Sequence, residues 1–598
     1  MQGRGHGRGR IPAKPHNFKK AISDLLAYCR RDMWVIIISL ILAAAGAVLT
    51  IIGPNQISRI TDLITAGLTG SIDMAAISRV GFLLIGLYSC SALATFLQHY
   101  LMAGFNQNLS KRMRKDIVAK INRLPLSYFN FHEHGDVLSR VTNDVDTIGT
   151  SLSNSLATMV SASAQFVGCF IMMIVTNWIM AGTSVLSTLM ALILMVVIMS
   201  RTQKYFTARQ KNLGALNGYI EEMYTGHDII RTSNADQDVK KHFDRLNADV
   251  REANFKSQFL GGLMQPLMGF IGNFGYVAVC VVGATLAVSG KITFGVITAF
   301  MIYVRQFQSP IQQIGQAMTN MQSAAAAAER VFEFLGEPEM APETESAGLP
   351  GSTRGEVEFR HVKFAYPDKP EETVIKDFSA HVSPGQKVAI VGPTGAGKTT
   401  IVNLLMRFYE TTGGDILLDG VSIREMKRSE VHEHFGMVLQ DTWLFEGTVR
   451  DNLIFNTPGV TEEQMKQACK ACGIHSFIKA LPKGYDTVLS DNTAISAGQK
   501  QLMTIARAMI QNHPILILDE ATSSVDTRTE LITQKAMDRL TRQRTSFVIA
   551  HRLSTIRNAD LILVLRDGDI TEQGTHEELL AKGDFYAELY NSQFEQAE

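Results

Sequence analysis

Long apolar blocks in the first half of the chain limit what it can fold into. The six blocks lie near 33–53, 80–103, 156–177, 179–200, 259–289 and 292–316. About 20 helical residues are enough to cross the hydrocarbon core of a bilayer. The blocks therefore predict a membrane α-helical domain of six transmembrane helices that extends over residues 33–335.

The connections between the blocks predict how the helices are oriented. Only Asn177 and Trp178 separate the third block from the fourth, and little more than residues 289–291 separates the fifth from the sixth, so both links are expected to be tight. The loops 104–155 and 201–258 are long and rich in lysine and arginine. Since basic loops stay in the cytosol, both loops and both chain termini are expected on the cytosolic side.

Each long loop is expected to form two helices that carry the chain well beyond the membrane. The breaks between these helices are predicted at the loop tips, around 125–129 and 218–222. Roughly 25 helical residues on each side would reach about 35 Å from the membrane, at 1.5 Å per residue. The tips contain Tyr128, Phe129 and Tyr219, and aromatic tips need a surface to pack on. A cytosolic domain is the expected surface.

The regions outside the membrane domain differ in composition. Residues 1–32 form a basic arm without the apolar core of a signal peptide, and membrane anchoring is favoured over RNA binding. Residues 336–355 are a linker rich in Pro, Glu, Gly and Ser. Residues 356–598 begin with the alternating run 357–364, which predicts an edge strand. Lysine and arginine balance aspartate and glutamate, 57 against 57, so no nucleic-acid partner is expected.

A phosphate-binding loop is the strongest chemical signal in the second half. Gly392–Thr399 reads G-P-T-G-A-G-K-T, between a strand-like run at 387–391 and a helix-like run at 400–405. Glycines let successive N–H groups face a phosphate chain, and the helix N-terminus adds partial positive charge. Lys398 is expected to contact the terminal phosphates of ATP, and Thr399 to bind Mg²⁺. The candidate ATP-binding residues here are Gly392, Pro393, Thr394, Gly395, Ala396, Gly397, Lys398, Thr399 and Thr400.

A second nucleotide motif follows about 120 residues later, at Ile515–Glu520. Its four apolar residues predict a buried strand that ends in two carboxylates. Phosphoryl transfer depends mostly on positioning and electrostatics, so a carboxylate beside the terminal phosphate is a natural general base. Asp519 is therefore expected to bind Mg²⁺, and Glu520 to activate the attacking water.

The segment Ile495–Gln501, I-S-A-G-Q-K-Q, resembles the LSGGQ signature of ABC transporter ATPases. Further matches, in the family's order, are Gln440 for the Q-loop, Ser523–Asp526 for the D-loop and His551 for the switch histidine. Nearly the whole chain past the arm resembles the half-transporters among the type IV, B-family exporters. This resemblance implies a membrane domain fused to an α/β P-loop ATPase, with a RecA-like core and a helical subdomain.

The resemblance also implies roles for single residues. Tyr366 is expected to stack on adenine. The expected catalytic residues are Glu520, His551 and Gln440, and the expected Mg²⁺ ligands are Thr399, Gln440 and Asp519. Ser496 sits where it can cap a helix. Together with Gly498 and Gln499, it is expected to close over the ATP held by a second half-transporter.

The implied function is ATP-driven export of a hydrophobic or amphipathic substrate across a bacterial plasma membrane by alternating access. Drugs, lipids and peptides are all substrates in this family, and no residue here separates them. A heterodimer with unequal ATP sites is favoured, because Ala497 replaces a family glycine and residues 489–492 also depart from the family pattern. A homodimeric lipid flippase or peptide exporter is an alternative, as is an ATP-gated regulatory membrane protein.

Three further sequence features each have two interpretations. Arg305, inside the sixth block, either lines the translocation path or extends towards a membrane face. Cys469 and Cys472, with His475 nearby, match half of a zinc site but are better explained as ordinary helix residues. A methionine-rich stretch either forms an adaptable drug surface or packs against helices and lipid. Its residues are Met172, Met173, Met190, Met195 and Met199.

Overall fold

The structure, a computed structural model, describes residues 17–68, 71–343, 348, 353–439, 442–490, 495–519, 527–549 and 556–594. The chain divides into two compact units. The helical unit is Met1–Arg123 with His132–Pro338, and the sheet unit is Leu124–Phe131 with Glu339–Glu598. The short segment Leu124–Phe131 thus groups with the sheet unit, although the chain on both sides of it belongs to the helical unit.

Long helices joined by short turns make up the helical unit. They are α1 (Phe18–Tyr28), α2 (Met33–Gly67), α3 (Met74–Ile121), α5 (His134–Ser139), α6 (Val145–Thr176), α7 (Trp178–Thr225), α8 (His227–Thr232), α9 (Asp236–Gly262), α10 (Met264–Val288) and α11 (Phe294–Gly336), while α4 (Leu126–Phe131) belongs to the sheet unit. A 3-10 turn, Cys29–Asp32, precedes α2, and a π-helical turn, Arg140–Asp144, precedes α6. α6 packs extensively on α11, and α2 packs on α3.

Within the described residues, five helical stretches are long and apolar enough to cross a membrane. They are Phe18–Gly67, Met74–Ile121, His134–Thr176, Trp178–Thr225 and Gly269–Val288. The sixth predicted span falls in α11, which is continuous over 43 residues. Its apolar start is soon followed by Arg305, Gln306 and Gln308, which explains why α11 is not among the five. A membrane domain of several apolar helices is confirmed, and the count of six remains a prediction.

Apolar side chains from five helices form the core of the helical unit. The buried residues include Ile51, Cys169, Met173, Met180, Val279, Phe300 and Tyr303. Phe307 of α11 stacks on Phe166 of α6, with ring centroids 4.7 Å apart. Other large apolar residues, such as Phe170 and Val175 of α6, are exposed on the same helices. Apolar surface on both the inside and the outside is typical of helices that face lipid.

The tight link between α6 and α7 is confirmed. Asn177 alone separates the two helices. Its side-chain Oδ1 accepts hydrogen bonds from the N–H groups of Ile179 and Met180, both at 3.1 Å. An asparagine in this position satisfies N–H groups that the first helical turn leaves without a partner.

Asp62 connects the end of α2 to the start of α11. Its carboxylate accepts a hydrogen bond from the Thr293 hydroxyl at 2.9 Å and from the Gly295 N–H at 2.8 Å. A Cβ at Gly295 would collide with Asp62 and with the carbonyl oxygen of Ser58, so only glycine fits this contact. A carboxylate at a helix N-terminus is also favoured by the helix dipole.

The break predicted in the first long loop is confirmed, because α3 ends before Pro125 and the short α4 follows it. The break predicted at 218–222 in the second long loop is wrong. α7 continues through Gly218, and the chain turns at Gly226 instead. A Cβ at Gly218 would meet nothing, so this glycine occupies an open helix position and costs only about 1 kcal/mol there. Tyr219 lies on α7 and donates to the carbonyl oxygen of Val239 at 3.1 Å.

A ten-stranded mixed sheet is the centre of the sheet unit. Its strands are β1 (Val357–Ala365), β2 (Thr373–Val382), β3 (Lys387–Val391), β4 (Gly413–Leu418), β5 (Val421–Ser422), β6 (Phe435–Val438), β9 (Ile515–Asp519), β10 (Thr545–Ile549), β11 (Leu561–Arg566) and β12 (Asp569–Gly574). Their order is β5-β4-β1-β2-β12-β11-β3-β10-β9-β6. β7 (Gly447–Thr448) and β8 (Val488–Leu489) form a separate pair. β1 was expected at an edge, and this is wrong, because it pairs with both β2 and β4.

Helices cover the sheet and form a smaller subdomain beside it. They are α12 (Lys398–Leu405), α13 (Arg428–His434), α14 (Val449–Ile454), α15 (Glu462–Ala471), α16 (His475–Ala480), α17 (Ala497–Gln511), α18 (Thr527–Thr541), α19 (His576–Lys582) and α20 (Phe585–Phe594). One core lies beneath the phosphate loop and includes Val388, Ile390 and Ile401. A second core joins α14 to α17 with neighbouring strands. The predicted α/β fold with a helical subdomain is confirmed.

Cys469 and Cys472 belong to this second core, and both are fully buried. Burial raises the pKa of Cys469 to about 11 and that of Cys472 to about 12, so the thiols stay protonated at neutral pH. His475 Nδ1 lies 2.8 Å from the hydroxyl of Tyr485. The cysteines therefore act as ordinary packing residues, as the sequence favoured.

Candidate nucleotide site

The phosphate loop lies between a buried strand and a helix, as its sequence predicts. β3 pairs with β10 and β11, and α12 begins at Lys398. Gly395 has a φ of 87° and Gly397 a φ of 101°, values that glycine adopts far more readily than other residues. A Cβ at Gly397 would also lie only 2.7 Å from Cδ1 of Ile375. These glycines permit the turn that can direct backbone N–H groups at a phosphate chain.

The side chain of Lys398 is buried against the loop itself. Its Nζ donates to the carbonyl oxygens of Gly392 at 2.7 Å and Pro393 at 3.0 Å. Burial lowers the pKa of this amine, and the negative charge of Asp519 opposes that shift. Phosphate oxygens are stronger acceptors than neutral carbonyls, because they carry charge. Lys398 is therefore suited to exchange the loop carbonyls for the terminal phosphates of a nucleotide.

The remaining residues of the loop divide into a tip and a base. Pro393, Thr394 and Gly395 are exposed, whereas Ala396 is buried in the core below. Thr399, on the first turn of α12, is exposed, so its hydroxyl is accessible to a metal ion. The loop thus combines a fixed base with an accessible outer side.

Tyr366 lies just after β1 and contacts the helix of the phosphate loop. Its hydroxyl is 3.0 Å from the hydroxyl of Thr400. Its ring packs edge-on against Tyr409, with centroids 5.2 Å apart, and against Phe364, with centroids 4.9 Å apart. The structure therefore brings Tyr366 next to the phosphate loop, which is where an aromatic residue for adenine is needed.

The acidic end of the site is described in part. Asp519 ends β9, whose preceding four residues are buried, and β10 alone separates β9 from β3. Since these strands are parallel, Asp519 and the phosphate loop both follow carboxyl ends at one edge of the sheet. The catalytic candidates Glu520, Gln440 and His551 lie outside the described residues, as does the D-loop match at 523–526. Their roles remain predictions.

Ser496 caps α17, as expected from the sequence. Its hydroxyl accepts a hydrogen bond from the Gln499 N–H at 3.2 Å, and Gln499 Oε1 accepts one from the Ser496 N–H at 3.0 Å. This reciprocal pair fixes the helix N-terminus. Ser496 and Ala497 are exposed, while Gly498 is buried. The end of α17 therefore presents an accessible helix N-terminus, a feature that favours anions.

The first loop tip contacts the sheet unit at a residue that sequence reasoning missed. In α4, Tyr128 is buried, and Asn130 Nδ2 donates to the hydroxyl of Tyr409 at 2.8 Å. Burial raises the pKa of Tyr409, so its hydroxyl stays protonated. Tyr409 also packs on Tyr366, which places the tip two side chains from the nucleotide site. Asn130 and Tyr409 are 279 positions apart, and no motif signals such a contact.

The described residues fit a nucleoside triphosphate with Mg²⁺. The loop offers backbone donors and Lys398 for phosphates, Tyr366 offers an aromatic ring, and Thr399 and Asp519 offer oxygen ligands of the kind that Mg²⁺ prefers. Within the described parts of the chain, no other group of histidine, cysteine and acidic residues is arranged for a metal ion.

Comparison with known families agrees with this geometry in both halves of the chain. Residues 36–311 match the family described as ABC transporter transmembrane region. Residues 375–523 match the family described as ABC transporter, which is the ATP-binding part. The order of the two matches is that of a membrane region followed by an ATPase.

Several curated proteins are similar over most of the chain. The fatty acid ABC transporter ATP-binding/permease protein of Mycobacterium bovis is 46% identical over 519 residues, 87% of this chain and 82% of that protein. The probable multidrug resistance ABC transporter ATP-binding/permease protein YheH of Bacillus subtilis is 37% identical over 85% of this chain and 76% of that protein. The ATP-dependent lipid A-core flippase of Syntrophus aciditrophicus is 34% identical over 86% of this chain and 85% of that protein. The chain therefore belongs to the ABC transporters, as a half-transporter of the type IV exporters that couples ATP hydrolysis to transport.

Proposed function

We propose that this chain exports a lipid-like amphiphile, with fatty acids and acyl lipids as its substrate class. The observation that carries the proposal is the 46% identity, over 87% of the chain, to a protein named as a fatty acid transporter. A relative named as a lipid A-core flippase supports the same class. An acyl chain is also a fitting cargo for long helices with exposed apolar residues, because it enters from the surrounding lipid.

The proposed hydrolysis site uses the residues around the phosphate loop. Lys398 and the loop N–H groups hold the phosphates, and Tyr366 contacts the adenine. The proposed Mg²⁺ ligands are Thr399, Gln440 and Asp519. Glu520 removes a proton from the attacking water, and His551 acts as the switch histidine. ATP favours a closed pair of ATPase domains, and hydrolysis removes that preference, which drives alternating access.

A heterodimer is the proposed assembly, with Ala497 as its motivation. Ala497 is exposed at the N-terminus of α17, where the family has glycine. Its methyl group narrows the accessible φ and limits how closely another chain's nucleotide can approach. The chain purified alone decides this point. It should show little ATPase activity, whereas substrate-stimulated turnover by a homodimer would overturn the heterodimer.

The proposed location is a bacterial plasma membrane, with both termini in the cytosol. Basic residues in the two long loops support this orientation. A cysteine-accessibility experiment in intact cells tests it. A single cysteine placed at the exposed position Lys111 should react only after the membrane is made permeable, while one placed at the exposed position Lys291 should react from outside.

ATP-dependent transport in inverted membrane vesicles tests the substrate class. Vesicles that contain the complete complex should accumulate radiolabelled palmitate when ATP is added. Vesicles with the Lys398→Ala variant are the control for passive uptake. Accumulation of a hydrophobic cationic dye without palmitate would replace the lipid proposal by drug export. If the vesicles transport neither palmitate nor the dye nor a fluorescent phospholipid, the proposed function is overturned.

Drug export is the second candidate, and two observations favour it. The Bacillus subtilis relative, 37% identical, is named as a probable multidrug resistance transporter. Met190 and Met199 are exposed on α7, and methionine surfaces adapt to ligands of different shape. The dye in the vesicle assay distinguishes this candidate from lipid export.

A further inference from the structure

An open cavity with a mixed polar and apolar lining lies between α7, α10 and α11 of the helical unit. Its volume is about 310 Å³. α7 contributes mainly apolar residues, among them Leu192 and Met195, together with Thr188, and α11 contributes most of the polar ones. The polar lining residues on α11 are Arg305, Gln308, Ser309 and Gln312. At these spacings they share one face of α11, so the helix turns a single polar stripe towards the cavity.

Arg305 is the charged residue of this stripe. Its guanidinium lies 5.6 Å from the ring centroid of Tyr276 on α10, and the side chain is exposed. Among the residues that the structure describes, no carboxylate forms an ion pair with it. A charge in a membrane-spanning region is costly unless it has a partner or faces a cavity. The ring contact and the cavity leave the guanidinium's hydrogen-bond donors available for an anion.

Gln308, which lines the same cavity, carries an unpaired hydrogen-bond donor. Its Nε2 is buried and has no hydrogen-bond partner within the described residues. Its Oε1 lies near Gly272 on α10, at 3.1 Å from where a Cβ would be. Buried amide donors are nearly always paired, so an unpaired one beside a cavity needs an explanation. A rotation of the Gln308 amide towards the cavity would let an acceptor there supply the missing hydrogen bond.

We propose that this cavity binds the anionic head group of an amphiphile, with Arg305 as its charge partner and Gln308 Nε2 as a second donor. The inference rests on the proposed export of lipid-like substrates and identifies the part of the substrate that is recognised. The planar guanidinium matches carboxylate and phosphate oxygens equally well, so either head group fits. The acyl chain then lies along Leu192 and Met195.

Equilibrium binding without ATP tests the site independently of transport. The purified complex, in nanodiscs of neutral lipid and at mildly alkaline pH, is titrated with hexadecanoate, 16-carbon lysophosphatidate and hexadecanol. These probes share the chain length and differ in the head group. Arg305→Gln should weaken anion binding about tenfold, the effect expected for one charge-assisted contact, and leave hexadecanol unchanged. Arg305→Lys should retain part of the preference, and Gln308→Leu should cause a smaller loss of anion binding.

Arg79→Gln is the matched control, because Arg79 is an exposed arginine on α3 that does not line the cavity. It should bind all three probes like wild type. A preference for hexadecanoate alone identifies a carboxylate site, and one for lysophosphatidate alone identifies a phosphate site. Both results support the inference.

Two results would overturn it. In one, wild type binds hexadecanol as tightly as the anions. In the other, Arg305→Gln weakens all three probes equally, which would mean that Arg305 only shapes the cavity. The vesicle assay separates this inference from the proposed function. If wild type transports palmitate but Arg305→Gln keeps the anion preference, the head-group site fails and the function stands.

Discussion

The sheet unit presents two helix N-termini that the sequence assigns to ATP, one at α12 and one at α17, and they are built differently. Before α12, glycines with positive φ turn the backbone, and Lys398 is buried against the loop carbonyls. Before α17, Ser496 caps the helix with its own side chain, and both Ser496 and Ala497 are exposed.

This difference suits the N-terminus of α12 to a nucleotide bound by this chain, and the N-terminus of α17 to a nucleotide bound by another chain. The base of the phosphate loop is part of the chain's own core through Ala396 and Ile401. At the start of α17, by contrast, Ser496 and Ala497 are exposed and contribute nothing to the core. Changes at α12 should therefore impair this chain's own nucleotide, and changes at α17 should affect the nucleotide of a partner.

The largest effect is expected from Glu520→Gln. Loss of a positioned general base typically lowers the rate by about 10² to 10⁴, while ATP binding stays intact. Phosphate release by the purified complex measures the rate, with Glu463→Gln, an exposed acid on α15, as the control. Normal turnover by the variant would contradict this division of roles, because ATP hydrolysis would then not depend on Glu520 of this chain.

Lys398→Ala should come next. It removes a charge-assisted contact to the phosphates, so ATP affinity should fall roughly 10- to 100-fold. Binding of a fluorescent ATP analogue measures this loss. Lys466→Ala is the control, since Lys466 is partly exposed and pairs with Glu462 on the surface of α15. An unchanged dissociation constant would contradict the role given to the buried amine.

Ala497→Gly sharpens the comparison from the other side. Restoring glycine widens the accessible φ at the exposed end of α17 and should raise turnover by about tenfold or less, a barrier change of at most 1.4 kcal/mol. ATP affinity of this chain's own site should not change. Ala480→Gly, at an exposed helix end, is the control. If the variant lowers the affinity of this chain's own site for ATP, the N-termini of α12 and α17 do not act on separate nucleotides.

The smallest effect is expected at the contact between α4 and Tyr409. Tyr409→Phe removes the hydrogen bond to Asn130 and should lower substrate stimulation of the ATPase about two- to tenfold, with basal activity retained. Asn130→Ala should have a similar effect, and the double variant should add little. Full additivity of the two changes would show that the contact does not couple them.

Local features of the site could be predicted from the sequence, because each depends on a few consecutive residues. The strand before the phosphate loop, the helix after it and the Ser496 cap are all of this kind. The turn at Gly226 could not be predicted, since an open helix position tolerates Gly218 and nothing local distinguishes the two glycines. The Asn130–Tyr409 contact and the Arg305 cavity depend on packing between distant segments. They became visible only with the structure.

The tie between Asp62 and the start of α11 also has a mechanical consequence. It holds one end of a continuous helix of 43 residues, so α11 would act as a lever with Asp62 near its pivot if the helix tilts. At 1.5 Å per residue the lever is roughly 60 Å long, and a tilt of about 10° moves its far end by roughly 10 Å. Arg305 lies about a quarter of the way along, and the same tilt shifts it by only about 3 Å. A large displacement at the far end of α11 would thus become a small displacement at the cavity.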